Sequence, residues 1–229
     1  MKVALTVNKE DVLQIPNEFI NDCTILLNQK SDEYLLTQLP YLEDLEFELQ
    51  DRAVCETDFS RLQPLPYITI FNKTTKKFFT YLRGKGGDEG RLHDKLSIGL
   101  GGHVDELVYN DDASLDLNNT ILLNIIKELS EEASIKLSDE HLVELLNSIK
   151  NKEYKLIYTT FDDVAKVHLC MWFCIELEED RLNQFEEGTI LEPRWFSFDE
   201  FEQMINDTGT ELEYWSQICY KMLKEKYNK

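Results

Sequence analysis

The apolar positions of this chain change period along its length, and those changes mark out its elements. Residues 2–7 alternate enough for a short strand. From 17 to 50, helix and turn signals mix, with Pro16 and Pro40 as breaks. The run Tyr67-Ile68-Thr69-Ile70-Phe71-Asn72 predicts a strand, Lys73 to Lys76 its turn, and Lys77 to Arg83 the returning strand. A glycine-rich loop, Gly84 to Gly90, follows, then two short β-like pieces, Lys95 to Ile98 and Leu100 to Val104. Asp105 to Asn118 is acidic and polar and reads as a surface excursion. From about Asn119 to Ala133 the period becomes helical, with Leu122, Ile125, Ile126, Leu129 and Ala133 on one side. Ser138 is placed to cap a further helix, with His141 at its third position. Lys152 to Thr160 and Ala165 to Leu177 predict adjacent strands, and 190 to 196 a last one. Two helices close the chain, about Phe198 to Asn206 and about Thr210 to Tyr227. Interleaved strands and helices place the chain in the α+β class, a mixed sheet covered by helices.

Length allows one large domain or two small ones, and at 229 residues without a visible repeat or linker the reading is a single domain over 1–229. Residues 1–60 read as an N-terminal extension packed on the core. A hydrophobic content of 42% with 11% aromatics supplies that core, which argues against global disorder despite the charge. A net charge of −20 argues against a duplex nucleic-acid binder, which needs a positive footprint to displace counterions, and against anionic membranes. It leaves room for a small phosphorylated ligand, because a bound cation with local basic groups reverses the sign of the field. No segment resembles a signal peptide or a membrane span, and the five cysteines form no close metal or redox pair. The expected location is the cytoplasm, with reduced thiols. The amphipathic run Leu212 to Tyr227 is expected to cover the sheet or to make homodimer contacts.

Candidate chemistry centres on Glu128, Glu131 and Glu132. Helical spacing turns all three toward one place, where carboxylates repel unless a divalent cation joins them. Oxygen-only ligands favour a hard ion, Mg²⁺ or Mn²⁺. In a chain with 44 acidic residues such a triplet is by itself an ordinary solvated face. The preceding Gly101-Gly102-His103-Val104 turns the reading toward a metal site, with a glycine carbonyl as a further oxygen ligand. Arg83, Lys85, Arg91, His93 and Lys95 form the basic cluster of an acidic protein, either a phosphate clamp or a solvated loop. His103 either meets a phosphate, with acid–base capacity near neutrality, or bonds locally beside the glycine turn. His141 and His168 read as structural. Tyr67, Phe71, Phe78, Phe79, Trp172, Phe173, Trp195 and Phe196 read mostly as core, with one or two free to stack on a base or sugar.

Gly101-Gly102 followed by Lys127-Glu128-Leu129-Ser130-Glu131-Glu132-Ala133-Ser134-Ile135 resembles the box of the Nudix (MutT-like) hydrolases. Tyr81-Leu82-Arg83-Gly84, Asp51-Arg52, Glu56-Thr57-Asp58, Gln63-Pro64-Leu65-Pro66-Tyr67 and Glu213-Tyr214-Trp215-Ser216 are similar to a branch described as predicted phosphoesterases. Arg194 to Phe201 is similar to the last strand and helix start of that fold. The resemblance implies an α/β/α sandwich over about 64–206 with a C-terminal helix over 207–229. It also implies cleavage of a phosphoanhydride in a nucleoside diphosphate linked to another group. Under it Glu128, Glu131, Glu132 and Gly102 are metal ligands, the glutamates carry the catalysis, and Arg83, Lys85, Arg91, Lys95 and His103 bind substrate. A further acidic ligand is expected from Glu176 or Glu178. Three departures stand out. Gly102 and Lys127 lie 25 positions apart, 11 more than in the family box, the surplus falling around Asp105 to Asp116. Asn119 occupies the place of the first family glutamate, and Lys127 and Ser134 replace the arginine and the final glycine. These departures leave open a nucleotide-binding sensor without hydrolysis, and the branch's description leaves open a phosphomonoesterase.

Overall fold

The computed structural model describes residues 2–13, 18–20, 23–25, 29–31, 34–37, 45–86, 92–151, 153–160, 163–178, 185 and 188–228. The chain begins with strand β1 (Val3–Asn8), helix α1 (Lys9–Leu13), and short strands β2 (Glu18–Ile20), β3 (Cys23–Ile25), β4 (Gln29–Ser31), β5 (Tyr34–Thr37) and β6 (Phe47–Asp51). Helix α2 (Arg52–Cys55) leads into β7 (Arg61–Asn72), β8 (Lys77–Arg83), β9 (Leu96–Ser97) and β10 (Gly99–Leu100). Then come α3 (Leu117–Ala133), α4 (Asp139–Lys150), β11 (Lys155–Thr159), β12 (His168–Glu176), β13 (Ile190–Phe196), α5 (Phe198–Thr208) and α6 (Tyr214–Tyr227).

The main sheet runs β13-β8-β7-β12-β11-β5-β2, with β1, β9 and β10 pairing along it and β6 pairing β1. It is mixed, because β7 and β12 are parallel, from His168 beside Gln63 to Glu176 beside Phe71, while its other ladders are antiparallel. Side chains alternate across a strand, and here both faces find helices. On one face Ile68 and Ile70 of β7, Phe79 and Tyr81 of β8, and Leu169, Met171 and Phe173 of β12 meet Ile121, Ile125 and Leu129 of α3 and Leu145 and Ile149 of α4. On the other, Tyr67 and Phe71, Phe78, and Cys170 and Trp172 meet Phe201 and Ile205 of α5 and Ile218, Cys219 and Leu223 of α6. The predicted α/β/α sandwich is thus built from period-two strands carrying two apolar cores. Among the described residues no helix is long and apolar enough to cross a membrane.

Several predicted elements shift. Over 17–50 the helix signals give way to strands in the described residues, β5 pairing with β11. Strand β7 begins at Arg61, well before Tyr67, and contains Pro64 and Pro66. Proline has no N–H to give a ladder, and on the side of β7 away from β12 the described strands leave Gln63 to Tyr67 unpaired between β1 and β10. The two prolines therefore cost no ladder bond on that edge. The second β-like piece ends at Leu100, because Gly101 to Val104 turns away, leaving one bond from Leu5 N–H to the Val104 carbonyl (2.9 Å). Ala165 to Val167 forms a 3₁₀ turn ahead of β12.

Candidate active site

Helix α3 carries the glutamates, and its ends show how this sequence fixes it. Asp116 caps the first turn, accepting from Asn119 N–H (3.0 Å), while the Asn119 side chain returns a bond to the other Asp116 oxygen (2.7 Å). The position that departs from the family glutamate is thus occupied in capping. At the far end Ser134 sits left-handed at φ 50°, Ile135 N–H reaches the Leu129 carbonyl (3.0 Å), and buried Ile135 packs in the same core as Leu129. The acidic excursion is tied onto the helix. Asn124 accepts from the N–H groups of Asp105 (3.2 Å) and Glu106 (3.3 Å), and the Thr120 hydroxyl accepts from Val108 N–H (2.9 Å).

Close approach to backbone requires glycine at 101, while Gly102 faces the flexible end of a side chain. A Cβ on Gly101 would stand 2.0 Å from the Pro66 carbonyl oxygen, and one on Gly102 would stand 2.5 Å from the Glu128 carboxylate. Gly101 N–H donates to Glu132 (3.2 Å). The loop and two of the three glutamates are therefore pressed together, with Glu132 only 9% exposed, Glu128 half-buried and Glu131 exposed. Burial, with Glu132 next in effect, pushes the Glu128 carboxyl up to about 8, a rise Lys127 only partly offsets. A site that resists its own negative charge and offers only oxygen donors fits a hard divalent cation. Lys127, where the family has arginine, bonds Asp105 (2.5 Å).

All three glutamates, Gly101, Gly102, Asp105 and Lys127 line a cavity of about 660 Å³. Arg83 and His103 line it as well. Lys85 and Lys95 do not: Lys85 is exposed, and Lys95 pairs with Glu211 (3.0 Å). Arg91 lies outside the described residues. Among the described members of the expected basic cluster, Arg83 lines the glutamates' cavity while Lys85 and Lys95 lie apart from it. Glu176 and Glu178 are also elsewhere, Glu176 held by Lys73 and Tyr227, and Glu178 by Asn72 and Thr74.

The sequence reading missed three parts of this cavity. Arg83 Nε is held at 2.7 Å by Glu213, a carboxylate 2% exposed that also accepts from Tyr67, Ser97 (2.7 Å) and Ser216 (3.0 Å). Trp215 stands edge-on to Tyr67, with ring centres 5.9 Å apart, and forms part of the wall beside Tyr214. His168, read as structural, meets His103 (3.3 Å between Nε2 atoms) and Glu56 (3.5 Å). Burial works against the Glu56 charge, yet its bond with His103, with His168 alongside, holds its carboxyl below the usual range. Burial also pushes His103 down. Resemblance to Glu56-Thr57-Asp58 and Glu213-Tyr214-Trp215-Ser216 was the one signal for Glu56 and Glu213, and nothing in spacing pointed to His168.

Comparisons place this geometry among known proteins. Protein YmaB of Bacillus subtilis (strain 168) is 30% identical over 173 residues, 76% of each chain. The crystal structure of Tm1382, described as a Nudix hydrolase, aligns over 97% of this chain and 98% of its own, with a TM-score of 0.62 and 21% identity. A Nudix hydrolase structure from Alicyclobacillus acidocaldarius covers 71% of this chain and 90% of its own, with a TM-score of 0.45 and 10% identity. No protein-family model matches the chain.

Proposed function

We propose that this chain, which belongs to one family with Bacillus subtilis YmaB and is built on the Nudix fold, is a metal-dependent hydrolase. Its bond is a phosphoanhydride, in a small nucleotide-like molecule carrying a linked diphosphate. The observation that carries the reading is the glutamate face of α3, with Glu128 and Glu132 pressed against Gly101-Gly102 and Glu131 lining the same cavity. The description of Tm1382 as a Nudix hydrolase agrees with it.

Glu128, Glu131 and Glu132, with the Gly102 backbone, are the groups that would hold Mg²⁺ or Mn²⁺. Such an ion, when bound, offsets the charge that builds on diphosphate oxygens as water attacks phosphorus. One carboxylate of the trio accepts the proton of the attacking water. Arg83 binds a phosphate oxygen, its guanidinium kept in place by the buried Glu213. Lys127 adds positive charge at the acidic rim while bonding Asp105. Trp215 and Tyr214 offer an aromatic wall to a base or sugar. The departures Asn119, Lys127 and Ser134 are accommodated within this fold as cap partner, as partner of Asp105 and as left-handed terminus.

A panel of nucleoside-diphosphate-linked substrates, assayed with and without Mg²⁺, tests the reading. Turnover is expected only with the metal, and Glu131→Gln and Glu132→Gln are each expected to lower kcat by about 100-fold or more. Metal-independent turnover, or full activity in both variants, rejects it. Phosphorus NMR of products separates the rivals: orthophosphate from a monoester marks a phosphomonoesterase, and ligand-induced thermal stabilisation without product marks a sensor.

A further inference from the structure

A second group of ligand atoms lies against the same cavity and has no part in the reaction above. Glu56 follows α2, His103 follows the paired glycines, and His168 opens β12. Glu56 Oε1, His103 Nε2 and His168 Nε2 form a nearly equilateral triangle. Its sides are 3.4 Å between His103 and Glu56, 3.5 Å between His168 and Glu56, and 3.3 Å between the histidines. We propose that this triangle binds a transition-metal ion of the Zn²⁺ class, at a site separate from the glutamate face of α3.

The size of the triangle favours a tetrahedral ion. Zinc bonds of about 2.0–2.1 Å at tetrahedral angles set ligand atoms about 3.4 Å apart, whereas the right angles of an octahedral ion at that bond length set them at about 3 Å. The donor types agree. Two imidazole nitrogens and one carboxylate suit a borderline ion such as Zn²⁺, unlike the all-oxygen set on α3.

Proton placement points the same way. His168 Nδ1 lies 2.7 Å from the Val164 carbonyl, which can only accept, so the ring proton sits on Nδ1. In the neutral ring Nε2 then presents a lone pair, and Glu56 Oε1 presents only lone pairs. His168 Nε2 and Glu56 Oε1 thus converge as lone-pair donors beside His103 Nε2, and Arg52 Nε lies 3.8 Å from the same Glu56 oxygen. The Val164 carbonyl is also the kind of outer partner that fixes a metal-binding histidine in its ring orientation. Gln63, 1% exposed, directs its amide nitrogen at the same His168 Nε2 (3.2 Å), while its oxygen finds no partner among the described residues. Both histidines line the cavity, so the remaining coordination position is open to water or to an anionic ligand oxygen.

The test uses the untagged full-length chain, stripped of metal by chelation and titrated with Co²⁺ in excess Mg²⁺, which fills the α3 site. One equivalent is expected to bind with the intense visible absorption of a tetrahedral cobalt ion, and Zn²⁺ should bleach it. Glu56→Gln is expected to weaken binding at least tenfold and His103→Ala to abolish the band, with circular dichroism confirming that each variant is folded. If His103→Ala does not fold, Glu56→Gln carries the comparison. Glu131→Gln is expected to keep the band while losing hydrolysis, which separates this site from the reaction above. Absence of saturable Co²⁺ binding, a weak octahedral spectrum, or an unchanged band in the folded variants overturns the proposal.

Discussion

Glu128 concentrates the electrostatic tension of the cavity in one side chain. Its carboxyl is raised from about 4.5 to about 8 by burial and then by Glu132, so between those values the folded chain holds a proton that the unfolded chain has released. The metal-free protein should therefore lose stability as the pH climbs from about 5 to about 8. Urea unfolding in EDTA at those two values checks this, and Glu128→Gln should remove most of the difference; an equal slope in the variant sinks the assignment. Helical spacing made this residue legible, since Glu128, Glu131 and Glu132 need only their positions on α3 to converge. Glu56, His103 and His168 had no such shared element. They come from three separate segments, and their meeting depends on the parallel register that sets His168 beside Gln63. Lys95 parts from Arg83 for a related reason. Lys95 is near Arg83 in the chain, but it turns to Glu211 while Arg83 turns inward to Glu213.

At the scale of elements, local rules were dependable where a helix end or an alternating strand decides its own form. Ser138 caps α4 and puts His141 N–H on its hydroxyl as expected, and Ser197 with Glu200 closes a full capping box on α5. The terminus of α3 is a place where the local rule is broken. Ser134 occupies a left-handed position that favours glycine, so Ser134→Gly should stabilise the protein by up to about 1 kcal/mol, read by chemical denaturation. No gain, or a loss, would show that the serine side chain contributes more than its strain costs. Strand β7 escaped the sequence reading over Arg61 to Pro66. Two prolines argue against an interior strand unless the chain leaves one edge open beside them, and only the placement of β1 and β10 leaves that gap.

For the molecule as a whole, Glu213 joins parts distant in sequence. Seated before α6, it receives Arg83 from the end of β8, Tyr67 from β7, Ser97 from β9 and Ser216 from α6, linking one helical layer to the sheet beside the cavity. Replacing it with leucine leaves half-buried Arg83 without its counter-charge and the Tyr67, Ser97 and Ser216 hydroxyls without their acceptor, so Glu213→Leu should cost about 3 kcal/mol in urea unfolding. A loss below about 1 kcal/mol would mean that solvent already screens the pair. The two apolar faces of the sheet and the acidic stripe of α3 were written in the order of residues, because periodicity and capping act over a few neighbours at a time. The gap in β7 that receives Gly101, the pairing of Arg83 with Glu213 and the meeting of Glu56 with two histidines were settled by packing alone. Those contacts join segments tens of residues apart, and their distances follow from sheet register, which local preference does not encode.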